Sequence, residues 1–431
     1  MARVKIAYIG GGSTRAPGTL ASFIRQAGNF AGSEIVLHDL DAERLDLVCA
    51  LARRMAAVQG ADLTFTATTD RRAALDGCDA VLSSYRPGGF EARALDERIP
   101  LSHGVVGQET QGAGGFFMAL RAVHVARGLV ADMEAVCPQA WLMNYTNPVN
   151  IVAQAVADHS PIRVVSLCEG PIVFPREIAA LAGLDPDRVR ATMVGLNHAC
   201  WSADATYGGA SGTEPLLPLL AAALDGELPD VGARRWIDLA VTLGTVPASY
   251  MRYYYFEREM VAELRAQPTT RAQDILAEVP EYWAHYREQL TADAPTLDPE
   301  RSRGGIFELE VAVDVMDALF NDRAEVWPCN VVNRGALADL PDTLVVEGPC
   351  VVDAQGVRPV AGHRVPPAAR ALTGALGEYQ QLAATAAWRG DRLDALRALV
   401  SNPLVRTLPL ARTLYDELAA AHRAWLPDRL W

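Results

Sequence analysis

The sequence predicts an α/β protein whose N-terminal part is a doubly wound parallel sheet, and three observations carry that expectation. Short β-branched runs alternate with longer helical patterns through the first half of the chain. The first run ends in Gly10-Gly11-Gly12-Ser13 and leads into a helical stretch with Pro17 near its start. The second run closes on Asp39. Strand and helix in alternation give a parallel sheet covered on both faces. Glycines let a pyrophosphate approach the backbone, and a helix N-terminus offers it free N–H groups. An acidic residue after the second strand suits an adenosine ribose. Together these features point to a Rossmann-like dinucleotide site, although Arg15 stands where the fingerprint has its third glycine.

The elements follow in order. Val4 to Ile9 and Glu34 to His38 read as strands, with a helix over Asp41 to Val58. Ala80 to Ser84, Ala140 to Met143 and Arg163 to Leu167 are further buried strands, and Ala119 to Val136 and Pro148 to Ala157 are helices. The second half is mostly helical, over Arg235 to Leu243, Tyr253 to Arg265, Arg271 to Glu278 and Glu308 to Phe320. An extended segment, Asn330 to Val360, separates these from helices at Leu372 to Ala387 and Asp391 to Ser401. The expected division is a dinucleotide-binding domain over 1–198 and an α+β, mostly helical substrate and oligomerisation domain over 199–431.

The formal charge of −13 argues against nucleic-acid or anionic-membrane partners, which demand surplus cation. The richest apolar stretch, Leu216 to Leu224, is too short to span a bilayer. The N-terminus lacks the h-region and cleavage site of a signal peptide. Seven cysteines without a CxxC pair fit a reduced, cytoplasmic protein better than a disulfide scaffold.

Cys168 follows one strand and His198 lies thirty residues on, after another candidate strand end. A thiolate and an imidazole at neighbouring strand ends suit a soft or borderline divalent metal. By spacing alone, the first reading is a small buried hydrophobe and a satisfied core histidine. Arg86, Arg93, Asp96, Glu97, Arg98 and His103 read mostly as a solvated loop with ion pairs. Arg93 and a later arginine such as Arg271 are alternatively a bidentate phosphate clamp. Tyr250, Tyr253, Tyr254 and Tyr255 crowd one region, where packing accounts for most of them.

Seven segments in one order resemble glycoside hydrolase family 4, the NAD- and divalent-metal-dependent glycosidases. They are Ile9 to Ser13, Arg93 with Asp96 to Leu101, Gly107 to Thr110 with Gly114-Gly115, Asn144 to Pro148, Cys168 to Pro171, Gly195 to His198, and Asn330 to Asn333. The resemblance implies NAD held by Gly10, Gly11, Gly12, Ser13, Thr14, Asp39 and Asn144. It makes Cys168 and His198 the ligands of a metal, most often Mn²⁺. It makes Arg93, Asn147 and Arg271 the grip on a substrate 6-phosphate, with Glu109 also on the substrate. Tyr250 becomes the general base, with Tyr253 close enough to compete. Homodimers or homotetramers are the family's usual assemblies.

Glu169 departs from the pattern. The phospho-β-glucosidase branch usually has Asn after the cysteine, the phospho-α-glucosidase branch Asp, and the branches acting on unphosphorylated sugars His. Pro171 and the arginines lean towards a 6-phospho-β-glucoside, with a phospho-α-glucoside or a plain glycoside as alternatives. Glu169 is then expected to face the leaving oxygen as an acid, or neutral sugar hydroxyls. The implied reaction is transient oxidation at C3 by NAD⁺, metal-assisted deprotonation at C2, elimination, water addition and return of hydride. A 2-hydroxy acid dehydrogenase begins with the same sheet but needs neither Cys168 nor a metal, and a non-catalytic sensor would need no tyrosine base.

Overall fold

In the computed structural model, residues 1–209, 212–303 and 310–431 are described. The apolar runs of the first half become β1 (Lys5–Ile9), β2 (Ser33–His38), β3 (Leu63–Thr68), β4 (Ala80–Ser83), β5 (Trp141–Asn144) and β6 (Arg163–Ser166). They pair in parallel in the spatial order β3-β2-β1-β4-β5-β6. That is the doubly wound dinucleotide order, in which the winding reverses between β1 and β4 and leaves a crevice at their carboxyl ends. The expected α/β, Rossmann-like fold is therefore present.

The strands alternate their faces as the pleat requires. Ala7, Ile9 and Val81 join one core, and Ile6, Tyr8 and Leu82 join the other. Helices α1 (Ala16–Arg25), α2 (Ala42–Gln59), α3 (Arg71–Leu75), α4 (Gly89–Ser102), α5 (Gly112–Val136), α6 (Val149–His159) and α7 (Gly170–Leu181) connect this half. Asp41 caps α2 by accepting the Arg44 N–H.

β7 (Val189–Leu196), β8 (Ala199–Gly209), β9 (Gly212–Pro215), β10 (Glu325–Val332), β11 (Val345–Asp353) and β12 (Gly356–Pro359) extend the same sheet. The order continues β6-β10-β11-β7-β8-β9, antiparallel throughout, with β12 beside β11. Helices α8 (Leu216–Ala223), α9 (Val231–Leu243), α10 (Arg252–Tyr255), α11 (Glu257–Ala266), α12 (Arg271–Thr291), α13 (Val311–Phe320), α14 (Arg370–Arg389), α15 (Arg392–Ser401) and α16 (Leu408–Ala421) complete this half. Side chains of α14 and α16 share a core with α5 and β1. The division expected at 198/199 falls in the turn between β7 and β8, and both the sheet and the cores run across it. Among the described residues, no helix is long and apolar enough to cross a membrane.

Several sequence expectations are corrected. The supposed solvated loop is α4, and Arg93, Asp96 and Glu97 on it are buried. Its charges pair inside the protein, Asp96 with Arg121 and Glu97 with Arg93, so hydrophobic periodicity could not reveal the helix. The helix expected over Tyr253 to Arg265 breaks at Phe256 into α10 and α11. The helix from Arg271 runs on to Thr291. The helix expected from Glu308 is seen from Val311, and Glu308 itself lies outside the described residues.

Candidate active site

The carboxyl ends of β1, β4, β5, β6 and β7 open into one cavity of about 1520 Å³. A single drug-sized ligand occupies roughly 300–1,000 Å³, so this volume admits two ligands side by side. Gly10, Gly12, Ser13, Thr14 and Asp39 line one end. Gly10 has φ +93, and a Cβ there would stand 2.1 Å from the Ser84 carbonyl oxygen. A Cβ on Gly12 would meet that of Asp39 at 2.9 Å. The Gly12 and Leu40 N–H groups donate to the two Asp39 carboxylate oxygens at 3.0 and 2.7 Å, fixing the acid at the rim. The Ser13 hydroxyl is buried without a hydrogen-bond partner among the described residues, so it is free for a ligand oxygen. This cradle fits a dinucleotide.

Two residues expected to touch cofactor do not line the cavity. Gly11 packs beneath it, donating its N–H to the His38 carbonyl at 3.0 Å. Asn144 spends its side chain internally. Its Oδ1 accepts from the Ser83 hydroxyl and the Thr146 N–H, while its Nδ2 donates to the Ser166 hydroxyl and the Thr146 carbonyl.

Cys168 and His198 do come together, with Sγ 3.7 Å from Nε2. His198 sits in the left-handed region at φ 61, in the turn between β7 and β8. Its Nδ1 is hydrogen-bonded to the Thr110 hydroxyl at 3.0 Å, which leaves Nε2 aimed at the thiol. Burial lowers the imidazole to a pKa of about 4, so it is neutral and ready to ligate. Burial raises the Cys168 thiol to about 12, and Glu347 and Glu169 push it the same way, so only a cation would ionise it here. A soft or borderline divalent ion fits this donor pair. Among the described residues, no group of three or more His, Cys, Asp or Glu side chains stands ready for a metal, so further ligands would come from substrate or water.

One consequence is testable in metal-free protein. The unfolded chain takes up a proton at an ordinary imidazole near 6.5, whereas folded His198 resists until about 4. Stability is full above the upper value and is lost as pH falls towards the lower one, by roughly 3 kcal/mol. Urea unfolding between these limits should therefore be less pH-dependent in His198→Asn. An unchanged slope would remove the assignment.

The Tyr250 ring lies flat on the His198 ring, with centroids 3.8 Å apart and planes 6° from parallel. Burial raises its phenol, and Glu109 and Cys168 add to this, so the ligand-free site holds it protonated. Tyr253 lines the same cavity, 6.3 Å from Tyr250 between ring centroids.

Beside them lies an arginine corner, whose Glu109 acts on both His198 and Tyr250. Arg93 Nε donates to Glu97 at 2.7 Å and its Nη1 reaches Glu109 at 2.9 Å, while Arg86 meets the same Glu109 oxygen at 2.6 Å. Burial alone would raise Glu109, yet Arg86 and Arg93 hold it at about 2. Glu97 also accepts the Ala272 N–H, docking the start of α12 on α4. Arg303 completes the corner over the Phe90 ring. Burial, helped by Arg86, Arg15 and Arg93, lowers it to about 10 although Glu109 opposes. Asn147 and Arg271 line the cavity too, Arg271 from the exposed first turn of α12. Glu169 precedes α7 and is ion-paired at 3.7 Å with Arg15, whose guanidinium lies over Tyr145.

Sequence reasoning does not single out Arg303 or Thr110. The signal for Arg303 is its place directly before Gly304-Gly305, and for Thr110 its place after Gly107-Gln108-Glu109.

Residues 5–184 match the model of the family 4 glycosyl hydrolases, and residues 193–405 match that of their C-terminal domain. The chain is 35% identical to a probable 6-phospho-beta-glucosidase of Bacillus subtilis, over 99% of this chain and 98% of the relative. It superposes with TM-score 0.86 and 26% identity on a 6-phospho-alpha-glucosidase from gut microorganisms solved with NAD and Mn²⁺, covering 99% of both chains. It also superposes, with TM-score 0.85 and 26% identity, on the Thermotoga maritima 6-phospho-beta glucosidase solved with NAD and glucose-6-phosphate, covering 98% of this chain and 99% of that one.

Proposed function

The chain belongs to family 4 of the glycosyl hydrolases, and from that premise we propose that it hydrolyses 6-phospho-β-glucosides with NAD⁺ and a divalent metal, Mn²⁺, as resident cofactors. The arginine corner carries the phosphate half of this reading. Arg86, Arg93 and Arg303 line one cavity with Glu109, and burial among like charges holds Arg303 low. A phosphate dianion answers those charges through charge-assisted hydrogen bonds. The β preference rests on the Bacillus subtilis relative.

Bound NAD⁺ would supply a hydride acceptor and the bound ion a Lewis acid. The protein's own residues do the rest. The Gly10–Thr14 turn and Asp39 hold the dinucleotide. Cys168 and His198 hold the ion. Arg93, Asn147 and Arg303 orient the sugar through its phosphate, with Arg271 at the rim. Tyr250, stacked on the metal histidine and protonated in the ligand-free site, would first lose its proton to solvent beside the bound cation, and its phenolate would then take the C2 proton. Glu169, tied to Arg15, faces the sugar hydroxyls or the leaving oxygen.

A panel of nitrophenyl glycosides tests this, in both anomers, with and without a 6-phosphate, in the presence of NAD⁺ and Mn²⁺. The 6-phospho-β-glucoside should be cleaved best, without net absorbance growing at about 340 nm, because the reduced cofactor is consumed within each turnover. Accumulating NADH would instead mark a dehydrogenase. In D₂O the released sugar should carry deuterium at C2, and Tyr250→Phe should slow that incorporation more than Tyr253→Phe. Product without C2 deuterium would favour displacement by paired carboxylates.

A further inference from the structure

β6, which leads to Cys168, and β7, which leads to His198, are not neighbours, because β10 and β11 lie between them. Three strand spacings separate β6 from β7, about 14 Å at the usual 4.8 Å apiece. Yet the side chains that follow them meet at 3.7 Å. Something must draw the two turns inward and hold them there.

Glu347 stands at that seam. It lies on β11, opposite Asn330 of β10 on one side and Gly195 of β7 on the other. Asn330 in turn pairs with Ser166, two residues before Cys168. The Glu347 side chain is 1% exposed. One oxygen, Oε1, accepts the Asn330 amide and the Asn197 amide, each at 2.9 Å, and Asn197 immediately precedes His198. The second oxygen is buried and meets no nitrogen or oxygen donor among the described residues, while the Cys200 thiol interacts with the carboxyl group. Leucine would fill the same space without desolvating a carboxyl group, so packing does not account for an acid here.

We propose that Glu347 is a positioning residue for the metal corner. Its Oε1 ties the His198 turn to the strand beside the Cys168 loop, and so fixes where the imidazole is presented. The turn has cause to need holding, because Gly195 lies at φ 140 and His198 itself at φ 61. The inference rests on reading Cys168 and His198 as metal ligands. Groups that orient a ligand without touching the ion commonly change metal affinity 10- to 100-fold when removed.

Mn²⁺ titrations of the NAD⁺-loaded protein, followed by the electron paramagnetic resonance of free Mn²⁺, test the proposal without recourse to turnover. Glu347→Leu should weaken Mn²⁺ binding by roughly 10- to 100-fold and leave NAD⁺ affinity unchanged. Glu347→Gln, which keeps an acceptor oxygen, should bind Mn²⁺ nearly as the unaltered protein does. If Glu347→Leu fails to fold, Asn197→Ala removes the same bond from the turn's side, together with the Asn197 contact to Cys168, and carries the same expectation. Unaltered Mn²⁺ affinity in the variant that folds, or a Glu347→Gln as weak as the leucine variant, overturns the inference alone. An unaltered protein that binds no Mn²⁺ overturns the metal reading, and this inference with it.

Discussion

Removing the 6-phosphate from an otherwise identical nitrophenyl β-glucoside should lower kcat/KM by at least about 10²-fold, and by as much as 10⁴-fold or more. Charge-assisted hydrogen bonds are worth about 1.5–3 kcal/mol each, and every 1.4 kcal/mol is tenfold, so two or three of them suffice. The geometry also says which arginine matters most. Arg93 spends Nε on Glu97 and Nη1 on Glu109, so part of its charge is already paired, although Nη2 keeps two N–H donors for a phosphate. Arg303 stacks on Phe90 and sits among like charges. Arg303→Leu should therefore cost more than Arg271→Leu on the phosphorylated substrate, and neither should matter much on the plain glucoside. Equal turnover of the two substrates would make the arginines structural and end the phosphoglycoside reading.

Cys168→Ser should lose metal-dependent turnover by orders of magnitude. A neutral serine hydroxyl lacks the negative charge of the thiolate, and His198 alone cannot hold an ion firmly. NAD⁺ affinity should change little, because the dinucleotide cradle lies on the β1 turn and shares no hydrogen bond with the thiol. Full, chelator-resistant activity in this variant would sink the metal assignment.

The parallel half of the fold was legible because buried strands such as Ala80–Ser83 announce themselves as apolar runs, and because Gly10 and Gly12 occupy turns that a side chain would block. What the sequence hid was of one kind. α4 buries Arg93, Asp96 and Glu97 in ion pairs with one another, with Glu109 and with Arg121 of α5, so its pattern imitates a solvated loop. Periodicity registers apolar faces and is blind to internally paired charge. Asn144 misled in the opposite sense, since a polar residue at a strand's ligand edge can be consumed by its own sheet. Cys168 and His198 were recoverable through family resemblance alone. Their meeting crosses two strands from late in the chain, which no local spacing encodes. Glu347 left a faint trace as a lone acid after Leu344-Val345-Val346.

The unbroken sheet from β3 to β9 also governs mechanics. Cys168 is anchored to its parallel half and His198 to its antiparallel half, so opening the gap between them would shear β10 and β11 against their neighbours. Such a pair behaves as a vice whose jaws are set before the workpiece arrives. A closing motion would have to break the pairings Ser166–Asn330, Asn330–Glu347 and Glu347–Gly195 that join the two anchorages. Discrimination among divalent ions would then be fixed when the chain folds, and would be tuned by residues along the seam rather than by those that touch the sugar.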